Sequence, residues 1–143
     1  MNFLCDTNII SEVMKPSPHP KVEQWFDAQR SIRLSVVSVE EIYYGLAYKR
    51  AERQLQWFEK FLFYRGEVVS LTSEIAEHAG NLRGELRRKG ITRSQADMFI
   101  AATAIIHDLI LVTRNISDFE HCELRLFNPF TQSQPPELTT PIG

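Results

Sequence analysis

Residues 94–113, SQADMFIAATAIIHDLILVT, contain two neighbouring apolar segments of different kinds. From Ala96 to Ile106 the apolar residues fall on nearly every side of a predicted helix, a pattern typical of a helix buried in the middle of a fold. From Leu109 to Thr113 a short apolar run predicts a buried strand. Ser94 or Thr92 is placed to open the helix. A buried helix that leads directly into a buried strand favours an α/β fold.

Short β-rich runs and helical patterns alternate along the rest of the chain. The predicted strands are Asn2 to Cys5, Ile32 to Val37, a weaker one at Glu67 to Leu71, and Leu124 to Phe127. The predicted helices are Ile9 to Met14, one through Trp25 and Phe26, one capped by Ser38, one through Leu55 and Leu62, and one from Ile75 to a stop at Gly90. Because parallel strands need helical crossovers, this alternation predicts a mostly parallel sheet covered on both faces.

The totals predict one compact domain, because 143 residues that are 43% hydrophobic, with nine Phe, can fill a core. We place this domain at residues 1–130 and expect a loose C-terminal tail at residues 131–143, which contains three Pro among Thr, Ser and Gln. The chain offers no membrane span and no secretory signal. Cys5 and Cys122 match no zinc spacing. These features predict a cytoplasmic protein with no membrane partner.

Four acidic residues follow the predicted strands or open the buried helix. Asp6 comes directly after the first strand, and Glu41 lies in the first helical turn after the second. Asp97 lies in the first turn of the buried helix, and Asp118 lies five residues beyond Thr113. Ligand sites of open parallel sheets lie outside the carboxyl ends of the strands. We therefore expect the four carboxylates to share one crevice.

Carboxylates gathered in one crevice repel each other unless a cation compensates their charge or they take up protons. Oxygen ligands with no Cys pair and no His at zinc spacing suit Mg²⁺ or Mn²⁺. Such an ion can activate a bound water as a nucleophile and stabilise a phosphate during in-line attack. The acids therefore predict phosphodiester hydrolysis. A small-molecule phosphatase is less favoured, because the chain has no Asp-x-Asp motif and no P-loop.

Two of the acids, Asp6 and Asp97, have structural explanations that we regard as weaker than function. Asp6 could cap a helix starting near Thr7, but Thr7 and Asn8 already offer capping groups. Asp97 could interact with the helix macrodipole three residues after Ser94, but a carboxylate entering so apolar a helix is costly without a partner. The residues alone therefore favour a functional role for both.

For Glu41 and Asp118 the residues alone leave the choice between structure and function open. Ser38-Val39-Glu40-Glu41 has the form of a capping box, so spacing supports a structural and a functional Glu41 about equally. Periodicity does not choose between Glu40 and Glu41 either. Asp118 ends Asn115-Ile116-Ser117-Asp118, a composition common in turns.

Four segments carry a family signature together, although none of them would be specific alone. They are Leu4-Cys5-Asp6-Thr7-Asn8, Glu41-Ile42-Tyr43-Tyr44-Gly45, Ser94-Gln95-Ala96-Asp97 with Ile100-Ala101-Ala102, and Thr113-Arg114-Asn115-Ile116-Ser117-Asp118-Phe119. In this order they resemble the VapC and FitB branch of the PIN-domain family, over about residues 3–130. One departure is Met98, where many relatives have Ala; it bears on packing and leaves the acids complete.

The resemblance implies a three-layer α/β/α fold and a metal-dependent ribonuclease that acts as the toxin of a type II toxin–antitoxin pair. It selects Glu41 over Glu40 and implies these roles: Asp6, Glu41, Asp97 and Asp118 bind Mg²⁺ or Mn²⁺, and Asn8, Thr113 and Asn115 support them. Members of this branch commonly cut RNA until a small antitoxin inserts part of itself near the site, and they are usually homodimers. The expected partners are therefore RNA, a cognate antitoxin and a second copy of the chain.

An RNA substrate should need positive charge beside the acids. The candidates in the sequence are Arg83, Arg87, Arg88, Lys89, Arg93 and Arg114. An ordinary solvated helix face explains the first five equally well, because basic residues are common on amphipathic helices. Arg114, close in sequence to Asp118, is the stronger candidate.

A regulatory role is the main alternative to catalysis. A protein with the PIN fold could serve as a partner in a DNA-binding toxin–antitoxin-like complex with little cleavage of its own. The complete set of acids favours the enzyme. A purely structural role would predict that Asn replacements at Asp6 or Asp97 leave function unchanged.

Overall fold

The computed structural model describes residues 2–136. Their strands are β1 (Phe3–Cys5), β2 (Ile32–Ser35), β3 (Gly66–Val69), β4 (Ile110–Val112) and β5 (Leu126–Phe127). Their helices are α1 (Thr7–Val13), α2 (Pro20–Asp27), α3 (Val36–Lys49), α4 (Glu52–Tyr64), α5 (Ser73–Arg88) and α6 (Gln95–Ile106), with a short 3₁₀ turn at Ile116–Phe119. The alternation of strands and helices predicted above is confirmed.

The five strands form one parallel sheet in the order β3-β2-β1-β4-β5. β1 lies at the centre, where Cys5 is opposite Leu34 of β2 on one side and Val112 of β4 on the other. Since all these strands run the same way, their carboxyl ends lie at one edge of the sheet. Asp6 leaves β1 at this edge, and its backbone N–H donates to Val112 O at 2.9 Å. The central strand therefore delivers Asp6 to the middle of the edge where ligand sites form.

Helices cover both faces of the sheet, and each face has its own hydrophobic cluster. Successive side chains of a strand point to opposite faces, so Phe3 and Cys5 pack into one cluster and Leu4 into the other. Residues of α1, α2, α3 and α4 complete the first cluster, and residues of α5 and α6 complete the second. Six residues of α6 are buried, as its apolar pattern predicted. These layers confirm the three-layer α/β/α arrangement.

The predicted helix signals near α5 and α6 are confirmed. Gly90, just beyond α5, has a φ of 84°, in the left-handed region that glycine adopts without steric cost. Ser94, and not Thr92, caps α6, because its Oγ accepts a hydrogen bond from the Asp97 N–H at 3.1 Å. The turn between the two helices thus begins at a glycine with a left-handed backbone and ends at a serine that caps α6.

The predicted start of α3 is wrong. The helix begins at Val36, and its cap is Ser35, whose Oγ accepts a hydrogen bond from the Val37 N–H at 3.1 Å. Ser38 lies buried within the first turn instead of capping it. Ser35 and Ser38 are equivalent caps by residue type. Strand β2 decides between them, because its pairing with β3 ends with Ser35 opposite Val69.

Asn128 shapes the turn of the chain after β5. Its carbonyl accepts hydrogen bonds from the N–H groups of Thr131 at 3.2 Å and Gln132 at 2.9 Å. The predicted tail at residues 131–143 extends beyond the described residues, so the domain boundary at residue 130 stays a prediction. Within residues 2–136, no helix combines the length and the apolar character that crossing a membrane requires.

Candidate metal centre

Four acidic side chains line one open cavity of about 440 Å³. Asp6 reaches it from the end of β1, and Glu41 from α3, which follows β2. Asp97 comes from the first turn of α6, and Asp118 from the 3₁₀ turn that follows β4. Because β2 and β4 are the two neighbours of β1, segments that are distant in the chain meet at this edge. The expectation of one shared crevice is met.

Asp6 is the most buried of these acids, with 5% of its surface exposed. It also caps α1, because its Oδ1 accepts from the Thr7 N–H at 2.7 Å, so the structural role considered above is present. Burial is the main cause that raises the pKa of Asp6 from 3.8 to about 6. Hydrogen bonds from Thr113 and Thr7 lower it, and the charges of Asp97 and Glu41 raise it. The hydrogen bond by which Asp6 caps α1 therefore does not offset the free-energy cost of burying its charge among other acids.

Neutral polar groups hold Asp6 in place. The hydroxyl of Thr113, itself fully buried, donates to Asp6 Oδ2 at 2.9 Å, and Asn8 Nδ2 donates to the same oxygen at 3.2 Å. The other end of the Asn8 amide accepts from the Arg114 N–H at 3.1 Å. Asn115 lines the cavity, and its backbone N–H donates to Thr113 Oγ1 at 3.0 Å. Asn8, Thr113 and Asn115 therefore form one network behind the carboxylate.

Glu41 faces the cavity, whereas Glu40 is exposed and does not line it. Oε1 of Glu41 lies 2.9 Å from Thr7 Oγ1, which is also 2.9 Å from Ser38 Oγ. Because Ser35 is the cap of α3, Glu41 is too far along the helix to complete a capping box with it. The structure thereby removes the structural explanation that the spacing from Ser38 had favoured.

Asp97 and Asp118 are half-buried on the other side of the cavity. Burial raises the pKa of Asp97; the hydrogen bond with Ser94 lowers it, the charge of Asp118 raises it and that of Arg93 lowers it. The Asp118 backbone N–H donates to Asn115 O at 3.1 Å, which fixes the 3₁₀ turn. The charge of Asp118 thus acts on Asp97 across this side of the cavity.

Sequence reasoning missed a fifth carboxylate in the cavity wall, Glu12. It is 6% exposed, and its Oε1 lies 2.8 Å from Lys15 Nζ, while Oε2 accepts from the His19 N–H at 2.9 Å. The hydrogen bond from Lys15 is the first cause that lowers the pKa of Glu12, and the charge of Arg114 lowers it further. Helical spacing could have found Glu12, which lies four positions after Asn8 on one face of α1, and Lys15 follows three positions later, just beyond the helix.

Two of the predicted basic residues lie beside the acids. Arg114 lines the cavity, and its guanidinium carbon lies over the Phe130 ring, 4.7 Å from the centroid. Arg93 contacts the segment that carries Asp118, because its Nη2 donates to Ser117 O at 3.1 Å. Both arginines can therefore hold positive charge at the border of the acidic cavity.

The other predicted basic residues lie outside the acidic cavity. Arg87 lines a separate groove together with Arg83. Arg88 forms an ion pair with Glu85, with 3.3 Å between Nη1 and Oε1, and Lys89 is exposed at the end of α5. The predicted basic track is thus divided. For Arg88, the contacts support the ordinary solvated helix face.

The donor set fits a hard divalent cation. Carboxylate and water oxygens are the ligands of Mg²⁺, which usually keeps several waters and takes only one or two carboxylates directly. Within residues 2–136, no three His, Cys, Asp or Glu side chains are arranged as a ready-made cage for a metal ion. An open cavity lined by these four carboxylates, besides the paired Glu12, suits a partly hydrated ion instead. The raised pKa of Asp6 shows that this chain does not itself compensate the charge there.

Fold and site together define a class: a parallel α/β protein with an open carboxylate centre at the carboxyl edge of its sheet. The family model described as the PIN domain matches residues 3–122. The VapC ribonuclease Y4jK of Sinorhizobium fredii is 32% identical over 136 residues, which cover 90% of this chain and 97% of that protein. The chain therefore belongs to the PIN-domain family, in the branch that contains the VapC and FitB toxins.

Solved structures of this branch have the same fold. The crystal structure of FitAcB from Neisseria gonorrhoeae matches with a TM-score of 0.80 and 28% identity, covering 91% of this chain and 99% of that chain. The DNA-bound VapBC structure from Salmonella typhimurium matches with a TM-score of 0.80 and 30% identity, covering 90% and 98% respectively. The family resemblance predicted from the four sequence segments is confirmed.

Proposed function

We propose that this protein is a ribonuclease that acts as the toxin of a toxin–antitoxin pair and hydrolyses RNA phosphodiester bonds with the aid of Mg²⁺ or Mn²⁺. The observation that carries the proposal is the meeting of Asp6, Glu41, Asp97 and Asp118 in one open cavity. The raised pKa of Asp6 supports it, because the site favours either a proton or an added cation. The similarity to a VapC ribonuclease supports the choice of RNA.

The four carboxylates would hold the ion, and the network of Asn8, Thr113 and Asn115 would orient Asp6 among them. An ion bound there would lower the pKa of a water and offset charge on the attacked phosphate. Thr113 and Asn8 donate to the same oxygen of Asp6. These two hydrogen bonds fix the orientation of the Asp6 side chain before any ligand binds. Arg114, at the border of the cavity, would attract the RNA phosphate.

The proposed partners are RNA, a small cognate antitoxin and a second copy of the chain, in the cytoplasm. The names of the solved relatives, FitAcB and VapBC, support an antitoxin, because both denote toxin–antitoxin complexes. Phe63 and Tyr64 at the end of α4 are 82% and 77% exposed, and exposed aromatic pairs of this kind favour a protein interface. Both cysteines are unpaired and buried, in agreement with a reducing compartment.

A second candidate is a regulatory role in a DNA-binding complex with little cleavage. The DNA-bound state of the VapBC relative favours it, since that complex binds DNA. The two roles are compatible in one protein. They differ in whether the chain, freed of its partner, cleaves RNA.

The test is cleavage of RNA by the purified, partner-free protein with Mg²⁺ or Mn²⁺, compared with the variant Asp97→Asn. We expect wild-type cleavage that stops on chelation, and no detectable cleavage by the variant. Asn keeps the shape of the side chain and removes a charge that burial disfavours, so the variant should fold. Glu40→Gln is the matched control, because it removes an exposed carboxylate outside the cavity and should leave cleavage unchanged.

Two outcomes contradict the proposal. Cleavage by Asp97→Asn at the wild-type rate would remove the metal centre from the chemistry. A wild-type protein that cleaves no RNA with either ion, while its complex with a partner binds DNA, would establish the regulatory role instead.

A further inference from the structure

A second concave site lies on α5 and on the turn between α5 and α6. It is a groove of about 430 Å³ lined by Gly80, Arg83, Gly84, Arg87, Thr92 and Arg93. Three of these residues carry positive charge, and the lining includes no carboxylate. We call it the arginine groove. Its charge is opposite to that of the acidic cavity.

The positive charge of Arg83 and Arg87 in the arginine groove has no partner among residues 2–136. Arg83 and Arg87 are exposed, and neither has an ion pair or a side-chain hydrogen bond within residues 2–136. Arg93 Nε is buried and has no acceptor among those residues. By contrast, Arg88 on the same helix is paired with Glu85. Guanidinium groups left without acceptors at a concave surface favour an anion as ligand.

The groove also leaves its floor open. Apart from the adjoining backbone of α5 itself, no atom lies within 4 Å of the position that a Cβ would occupy at Gly80 or at Gly84. Glycine within a helix is less favourable than alanine. The open space allows a ligand to approach the backbone of α5 between Arg83 and Arg87.

The arginine groove and the acidic cavity meet at Arg93. This residue lines the groove, and its guanidinium donates to Ser117 O, next to Asp118 of the cavity. Its charge also lowers the pKa of Asp97. A ligand that occupies both sites would therefore pass Arg93.

We propose that the arginine groove binds backbone phosphates of the RNA strand at nucleotides beside the one that is cleaved. The inference rests on the proposed ribonuclease function. A polyanionic strand fits both sites, since one phosphate is attacked in the acidic cavity and others neutralise Arg83 and Arg87. Guanidinium groups bind phosphate through paired N–H donors, and contacts to phosphate carry no sequence information, so the groove contributes affinity that does not depend on sequence. The preferred substrate is thus a strand long enough to cover both sites.

The test is binding of fluorescent single-stranded RNA to the full-length, partner-free Asp97→Asn protein with Mg²⁺, followed by fluorescence anisotropy. Two RNAs of about 4 and about 16 nucleotides span the site sizes of known single-strand-binding folds. Adding Arg83→Gln with Arg87→Gln should weaken binding of the long RNA roughly tenfold and leave the short one nearly unchanged. The slope of affinity against salt should fall by about 1 per arginine.

Matched variants separate the groove from general charge. Arg88→Gln removes one arginine charge from the same helix outside the groove, is compared with Arg87→Gln alone, and should have little effect on binding. Gly84→Leu should weaken binding of the long RNA by filling the groove, whereas Gly84→Ala should not. Neither should unfold the helix, because both residues are better helix formers than glycine. In cleavage by the otherwise wild-type enzyme, the double variant should raise KM for the long RNA and leave kcat unchanged.

Equal binding of the long RNA by the double variant and its parent would overturn the inference. It would also be overturned if Arg88→Gln weakened binding of the long RNA as much as the groove variants do. If the double variant instead binds RNA normally and loses a copurifying antitoxin, the groove belongs to a protein partner and the inference is also wrong. Failure of the proposed function looks different. In that case wild-type protein cleaves no RNA, while the dependence of RNA binding on Arg83 and Arg87 can still be measured.

Discussion

Asp6 and Glu12 are two buried carboxylates in the wall of the same cavity, and the protein treats them in opposite ways. The pKa of Asp6 is raised to about 6, whereas that of Glu12 is lowered. Glu12 has the ammonium group of Lys15 at 2.8 Å and the backbone N–H of His19 at 2.9 Å. Asp6 receives hydrogen bonds only from neutral groups, and the charges that act on it come from other acids.

The difference separates a carboxylate with a partner inside the protein from one that we propose to be functional. A buried charge is tolerated when the chain supplies its partner, and Glu12 is such a case. A charge that remains uncompensated needs a proton or an external cation, and Asp6 with its acidic neighbours is that case. We therefore expect the two residues to respond in opposite ways to neutralisation, to pH and to metal ions.

The largest expected effect is the loss of activity in Asp6→Asn. We predict that RNA cleavage falls by about 10³-fold, the scale on which removal of one charge-stabilising group lowers enzyme rates. Stability without metal should stay the same or rise by up to about 2 kcal/mol, because a disfavoured buried charge is gone and Asn remains a good cap. Cleavage assays and urea unfolding measure the two effects. A large loss of stability would show instead that capping is the main role of Asp6.

The next effect is the stabilisation of the protein by a bound metal ion, which should depend on pH. Since the folded protein holds the Asp6 proton more tightly than the unfolded chain, this group's contribution to stability is full below pH 3.8 and is lost as pH rises through about 6. The loss is about 3 kcal/mol at most. Metal ions compete with the proton, so Mn²⁺ should raise Tm more near pH 7 than near pH 5.

Thermal unfolding with and without Mn²⁺ at the two pH values checks this response. Asp6→Asn is the control, because it removes the competing proton and should reduce the difference between the two pH values. The same Tm increase at both pH values in the wild-type protein would mean that the ion binds away from the acidic cavity.

The smallest effect is expected for Glu12→Gln. The variant loses the ion pair with Lys15 and should be less stable by about 1 to 2 kcal/mol near pH 7, since Lys15 itself can return to water. Because the folded pKa of Glu12 is lowered, this deficit should be present above about pH 4.5 and shrink as pH falls below it. Urea unfolding across pH measures it, with the exposed Glu77→Gln as the control. A variant as stable as wild type near pH 7 would contradict the proposed difference between Glu12 and Asp6.

Much of the fold could be predicted from local pattern. The all-round apolar character of α6 indicated its burial, and Ser94 and Gly90 are at helix ends because their chemistry acts on immediate neighbours. The start of α3 could not be predicted in this way. Ser38 was the expected cap, but Ser35 caps the helix, because the pairing between β2 and β3 ends at Ser35.

The sequence by itself determined the class of fold and pointed to the four acids that line the cavity, because periodicity and the family segments are properties of neighbouring residues. Only the tertiary structure decided that Glu12 belongs to the same cavity but is already paired, and that Arg83 and Arg87 share a groove while Arg88 does not. The physical reason is that electrostatic compensation depends on distances between groups. Those distances are set by the order of the strands and the packing of the helices, which no short stretch of sequence contains.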